Sequence, residues 1–213
     1  MINILAHRGY WTASIKRNSP EAIRKSLENG YGFESDVRDY MGKMVISHNI
    51  ADSTCQEAEE VFKWLHEFGD KYTFAINIKS DGLKEMLEDC LGRYNISNYF
   101  LFDMSVPQMI EFRDMGLRFF TRQSEVEKVP CMYEDSSGIW VDAFWDNKWI
   151  TKELLIEHLT NHKQICIVSP DLHGRADYKE FWKKLKGYEI GTGDMMLCTD
   201  HPDEAKEVFY GNY

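Results

Sequence analysis

Eight short apolar or β-branched runs, separated along 213 residues by amphipathic helical patterns, predict an α/β protein with a parallel sheet. Eight strands with roughly seven helices favour a compact (β/α)8 (TIM) barrel over an open doubly wound sheet. A third observation marks the irregular point of that barrel. Between the fifth and sixth strands, Val126 to Gly138 carries the breakers Pro130 and Gly138 and no helical period, so this connection is expected to lack a regular helix.

The strands are expected at residues 3–7, 33–37, 73–79, 99–103, 118–121, 139–143, 164–169 and 195–199, where runs such as Ile4-Leu5-Ala6, Phe74-Ala75-Ile76 and Tyr99-Phe100-Leu101-Phe102 concentrate apolar side chains. Helical periodicity falls between them at 20–28, 56–68, 83–94, 107–115, 152–161 and 178–185, and a last helix at 203–209 closes the chain. The first has both a start and a stop. Ser19 can cap its N-terminus, Pro20 suits its first turn, Glu21 complements the dipole and Gly30 follows its end. No internal repeat, low-complexity stretch or linker interrupts the pattern, so residues 1–213 are read as a single domain.

Composition narrows the function classes. A formal charge of −10 argues against a generic nucleic-acid surface, which needs clustered Lys and Arg, although a cleft can still hold an anion through local cations. The five cysteines are scattered, odd in number and without CxxC spacing, which points to neither a disulfide framework nor a zinc site. With no signal-like N-terminus and no run of about 20 apolar residues to insert stably in a bilayer, the expected compartment is the cytoplasm.

The chemistry concentrates in the first eighty residues. Glu34 and Asp36 lie two apart on a strand and so share a face, expected to be the barrel interior. Two adjacent buried anions need compensation, and a hard divalent ion, Mg²⁺ or Ca²⁺ with Mn²⁺ as a further option, suits oxygen ligands. Asn77 and Lys79 share a face of the third strand by the same arithmetic, offering a third ligand and a cation for a phosphoryl oxygen. His7 and His48 end apolar runs where strand gives way to loop, the place of active sites in these barrels, and provide a candidate general acid and base. Arg8 adjoins the first of them. Farther on, His173 and Arg175 fall on the loop after the seventh strand, where they could hold an anionic or sugar-like group; Trp11, Trp140, Trp145 and Trp149 supply at most one or two pocket aromatics.

His7-Arg8-Gly9, Pro20-Glu21, Gly32-Phe33-Glu34-Ser35-Asp36-Val37 and Val45-Ile46-Ser47-His48 resemble, in this order, the motifs of the glycerophosphodiester phosphodiesterase family, part of the phosphatidylinositol phospholipase C-like phosphodiesterases. Weaker echoes are Ile78-Lys79, Phe102-Asp103 and Thr199-Asp200-His201-Pro202-Asp203. The resemblance implies a TIM barrel with His7 and His48 as the acid/base pair, Glu34 and Asp36 as metal ligands, and Arg8 and Lys79 as phosphate-binding cations. It marks a divergent member. Asn77 stands where the family has a glutamate, Ala22 replaces the Asn of Pro-Glu-Asn, and Asn49 replaces the Asp after the second histidine. The expected activity is metal-dependent hydrolysis of a small soluble phosphodiester carrying glycerol or a sugar. The rivals are a lyase releasing a cyclic phosphate and a catalytically weak binding protein.

Overall fold

The computed structural model describes residues 2–191 and 193–211, which belong to two compact units. Unit 2 is Ala6–Phe119 and unit 1 is Met1–Leu5 with Phe120–Tyr213. Strand β1 (Asn3–His7) contributes residues to both.

In unit 2, helix α1 (Pro20–Glu28) starts where expected: Ser19 Oγ accepts the Ala22 N–H at 3.2 Å, and Pro20 opens the first turn. Strand β2 (Gly32–Tyr40) is longer than the apolar pattern indicated, because its outer half forms a hairpin with β3 (Lys43–Ile46), with Val37 opposite Ile46 and Tyr40 opposite Lys43. A short β4 (Gln56–Glu57) pairs with β3. That pairing takes the first residues of the helix expected at 56–68, so α2 runs Glu59–Glu67. The inner half of β2 pairs in parallel with β5 (Phe74–Ile78), and β5 with β6 (Tyr99–Phe102). Helices α3 (Lys84–Arg93) and α4 (Val106–Asp114) follow these strands, α4 capped by Ser105 Oγ on the Gln108 N–H. Phe33, Phe62 and Phe74 build the centre of this core; the Phe33 and Phe74 rings stack at 4.7 Å and Phe62 meets Phe74 edge-on at 5.7 Å.

Unit 1 holds β7 (Phe120–Ser124), β8 (Gly138–Asp142), β9 (Gln164–Val168) and β10 (Met195–Thr199), each paired in parallel with the next. Strand β7 lies later than the expected 118–121 because the polar Arg122, Gln123 and Ser124 continue its pairing with β8. Glycine at 138 has a steric cause: a Cβ there would sit 2.5 Å from the Phe120 ring and 2.6 Å from the Gln164 carbonyl oxygen. Between β7 and β8 the chain makes turns and no helix, in agreement with the Pro130 and Gly138 breakers. Helix α5 (Lys152–Thr160) precedes β9; a 3₁₀ turn at Pro170–His173 and α6 (Tyr178–Gly187) precede β10; α7 (Pro202–Tyr210) ends the chain. The eight strands of the βα pattern are thus all present, and β3 and β4 are additions to it. No helix among the described residues is long and apolar enough to cross a membrane.

Candidate active site in unit 2

The site begins with a backbone reversal. Directly after β1, Arg8 and Gly9 both adopt positive φ, 55° and 80°, and a Cβ on Gly9 would lie 2.7 Å from the carbonyl carbon of Ala22 at the start of α1. Only glycine fits that approach. The reversal turns the Arg8 N–H onto Glu34 Oε2 at 3.1 Å, while its guanidinium Nε stands 3.3 Å from Asp36 Oδ2. His7, the last residue of β1, places Nε2 3.8 Å from the same Glu34 oxygen.

Glu34 and Asp36 are 2% and 0% exposed, so their charges are removed from water and must be answered locally. Asp36 is answered generously. Lys79 Nζ lies 3.2 Å from Oδ1, Arg8 Nε faces Oδ2, and Asn18 Nδ2 donates to Oδ2 at 2.8 Å. Lys79 reaches there because its own N–H bonds the Val37 carbonyl at 2.9 Å, continuing the β2–β5 register by one residue. Glu34 is answered poorly. Burial, and then the negative charge of Asp36, push its carboxyl up to about 7, against the opposing pull of His7, Arg8 and Lys79.

Asn77 lies directly across from Asp36 in the parallel register and is nearly buried. Its Nδ2 donates to Asp103 Oδ2 at 3.2 Å, and its Oδ1 is buried with no hydrogen-bond partner; Asp36 Oδ1 likewise accepts no hydrogen bond. His48 is held at this end of β2 by its neighbour, since the Ser47 N–H bonds the Asp36 carbonyl at 3.0 Å. The His48 ring itself is exposed and meets Asn49 Oδ1 at 3.1 Å, and among the described residues no hydrogen bond or ion pair links it to His7 or the carboxylates. Direct contacts therefore join His7, Arg8, Glu34, Asp36 and Lys79, Asn77 joins by register, and His48 by backbone alone.

A hard divalent ion fits this donor set. Glu34, Asp36 and Asn77 present only oxygens, and two buried acceptor atoms, Asp36 Oδ1 and Asn77 Oδ1, lack hydrogen bonds. Among the described residues no group of three His, Cys, Asp or Glu is arranged to hold a metal ion. Asn18 was not foreseen: it joins Asp36 to Ser35, whose Oγ donates to Asn18 Oδ1 at 2.8 Å. The only local sign is its type, since Asn tolerates the φ of 57° it adopts.

His173 and Arg175 lie in unit 1. His173 Nε2 is 2.6 Å from the nearly buried Asp142 Oδ1, and its ring packs 5.0 Å from Phe144. Arg175 spends Nε and Nη2 on Asp177 and Nη1 on the Ala143 carbonyl at 3.3 Å. Glu125 accepts three backbone N–H groups, from Phe144 at 3.1 Å, Trp145 at 3.0 Å and Asp146 at 2.9 Å. Burial works to raise its carboxyl, and the three donors outweigh it and hold the group below the usual carboxylate range. Of the tryptophans, Trp140 is in the core, Arg17 stacks over Trp11 at 4.0 Å, and Trp145 is 72% exposed.

No family model matches the chain, and no curated protein matches it in sequence. Solved structures do. The glycerophosphodiester phosphodiesterase of Agrobacterium tumefaciens str. C58 superposes with a TM-score of 0.71 at 14% identity, over 98% of this chain and 99% of that one. The glycerophosphoryl diester phosphodiesterase of Parabacteroides distasonis ATCC 8503 gives 0.72 at 13%, over 97% and 85%. The tryptophan synthase alpha chain of Legionella pneumophila gives 0.57 at 6%, over 95% and 81%. Proteins of different chemistry share this architecture, so the likeness establishes fold and leaves activity to the site. With its eight strands and intervening helices, the chain has the (β/α)8 barrel fold of these structures.

Proposed function

We propose that the protein is a phosphoric diester hydrolase of the glycerophosphodiester phosphodiesterase type, using one divalent ion and the pair His7 and His48 on a small glycerol- or sugar-containing phosphodiester. The observation that carries the reading is the pairing of two buried carboxylates, Glu34 and Asp36, with Arg8, Lys79 and His7 within 4 Å. The two phosphodiesterases of this fold support it, as do the motif order of the first fifty residues and the near-complete overlap of the chain with one of them.

Glu34, Asp36 and Asn77 would hold the ion, Mg²⁺, Ca²⁺ or Mn²⁺, which when bound polarises the phosphoryl oxygens and stabilises the charge that builds on them. Arg8 and Lys79 each keep donors beyond those facing Asp36, and these bind the remaining phosphoryl oxygens. His7, beside Glu34, and the exposed His48 divide the proton work: one takes a proton from the attacking water and the other gives one to the leaving alkoxide. In unit 1, His173 keeps the ring nitrogen turned away from Asp142, and Arg175 the donors left over from Asp177 and Ala143, for an anionic or sugar-like group. We place the reaction in a reducing compartment, the cytoplasm, a reading supported by five free thiols.

The test is phosphorus NMR of the products from a glycerophosphodiester, with bis(p-nitrophenyl) phosphate as a generic substrate. Chelator should abolish turnover and added Mg²⁺, Mn²⁺ or Ca²⁺ restore it. Full turnover in chelator removes the ion from the mechanism. A cyclic phosphate as end product would make the enzyme a lyase, and no turnover with tight diester binding would make it a binding protein.

A further inference from the structure

Asn77 stands where an amide can present either of two faces, and the structure selects one. Asp103, at the residue after β6, meets it with a carboxylate, which accepts hydrogen bonds and donates none; the group turned to it at 3.2 Å is therefore the amide NH₂. The oxygen is left buried and without a hydrogen bond, opposite Asp36 in the β2–β5 register. Such a buried orphan acceptor is destabilising unless something fills it. What fills it cannot be a phosphate oxygen of an ionised diester, which also only accepts. It must be a cation or a hydrogen-bond donor such as water, a hydroxyl or an N–H group.

We propose that Asp103 is a positioning residue that locks the Asn77 amide with its oxygen turned toward the Asp36 side, so that a neutral amide serves as a cation ligand there. The identity of the cation as a divalent metal rests on the function proposed above; the locked amide does not. Without the lock the amide is free to turn its NH₂, the positive end, toward the cation. Asp103 suits the task by its backbone as well, with a φ of 66° that Asp and Asn adopt more readily than other side chains. This also accounts for a neutral Asn surviving at a cation site: the lock supplies the direction that a carboxylate, with two equivalent oxygens, does not need.

The experiment uses the full chain and two readouts. The first is the side-chain amide spectrum of Asn77 without metal. An Asn77 NH₂ group that is rigid by ¹⁵N relaxation in the wild type and mobile in Asp103→Asn upholds the lock; a mobile group in the wild type overturns it, and this holds even if the variant fails to fold. Asp103→Asn is the chosen variant because Asn keeps shape and tolerates the φ, yet it can donate or accept and so permits both amide orientations. The second readout is calorimetric titration with Ca²⁺ and Mn²⁺. Asp103→Asn should weaken binding by about 10–100-fold, the usual effect of an outer-sphere partner, and should add nothing in an Asn77→Ala background. Unchanged affinity in a folded variant, or losses that add, would overturn the proposal, the latter by making Asp103 a ligand itself. If the wild type takes up neither ion while its amide is locked, the proposed metal falls and the positioning role stands.

Discussion

Unit 2 buries the carboxylates Glu34 and Asp36 within β2, unit 1 holds the half-buried Glu125 just after β7, and the two satisfy them by different means. Around Asp36 the partners are side chains: Arg8, Lys79 and Asn18. Around Glu125 they are three consecutive backbone N–H groups of the 144–146 segment. The consequence appears in the protonation of each. Glu34, beside Asp36 and short of donors, is pushed up to about 7, whereas Glu125 is held below its usual range. Backbone donors are fixed by the fold and finish their work on folding. Side-chain cations can move to a ligand, and the atoms they leave incompletely paired, Asp36 Oδ1 and Asn77 Oδ1, are where one would bind. On the function proposed above, this contrast is the reason for placing the chemistry in unit 2 and a supporting role in unit 1.

The largest effects should therefore follow substitution in unit 2. His7→Asn and His48→Asn are each expected to lower kcat by about 10²–10⁴ with little change in stability, and the double variant should lose much less than the product of the two if both act in one step. His173→Asn, in unit 1, should instead raise KM with kcat nearly kept, the mark of a contact made equally in ground and transition states. Steady-state kinetics on the glycerophosphodiester separates the cases. A kcat loss at His173 matching that at His7 would break the division between units.

Next in size is Asp36→Asn, which leaves Arg8 and Lys79 without their common anion. Removing one member of a buried ion pair costs about 3–5 kcal/mol, and since the two cations are each 22% exposed the lower end, about 3 kcal/mol, is expected by urea unfolding. A stable variant would mean that the cations have other anions and that the cluster is looser than its distances indicate.

The β1 to β10 framework was legible because parallel buried strands are nearly continuous apolar runs and their helices carry a 3.6-residue period. The β3–β4 additions were not. Lys43 and Gln56-Glu57 are polar residues whose strand character comes from pairing, Lys43 with β2 and Gln56-Glu57 with β3, a tertiary preference that local pattern does not encode. At the site, strand alternation pairs Glu34 with Asp36 and Asn77 with Lys79 because each pair lies on or directly beside one short strand, β2 or β5. Asn18 and the Asn77–Asp103 contact were beyond reach: each joins residues 17 to 26 positions apart through loop geometry. His48 is expected in the cluster from its place at the end of an apolar run and from the resemblance; its exposed ring meets Asn49, a contact one residue away that sequence pattern does not show.

A pH titration sharpens the contrast further. The folded pKa of Glu34 is raised from 4.5 to about 7, so in metal-free protein the folded state holds its proton more tightly than the unfolded chain. The stabilisation from that proton is complete below about 4.5 and is lost as pH rises through 7. Glu34→Gln, which mimics the protonated group, should gain on the wild type above pH 7 by up to roughly 2–3 kcal/mol and match it near pH 4. Equal pH dependence of the two proteins in chelator would show that Glu34 stays ionised and that Arg8 and His7 answer its charge after all.

The smallest effect belongs to unit 1. The folded pKa of Glu125 is lowered, so its contribution to stability is present above the unfolded value near 4.5 and fades as pH falls through the folded one. Glu125→Gln keeps one acceptor oxygen and turns an NH₂ toward one or more of the Phe144, Trp145 and Asp146 N–H groups. Because the site is partly open to solvent, water can take over part of the lost acceptor, and a cost of about 1 kcal/mol is expected in place of the larger figure for a buried charged hydrogen bond. Amide exchange should quicken at Trp145 and Asp146, and the fluorescence of the exposed Trp145 should report a looser loop, while kcat stays near the wild-type value. A collapse of kcat in this variant would place Glu125 in the chemistry, and backbone satisfaction could no longer separate supporting carboxylates from working ones in this protein.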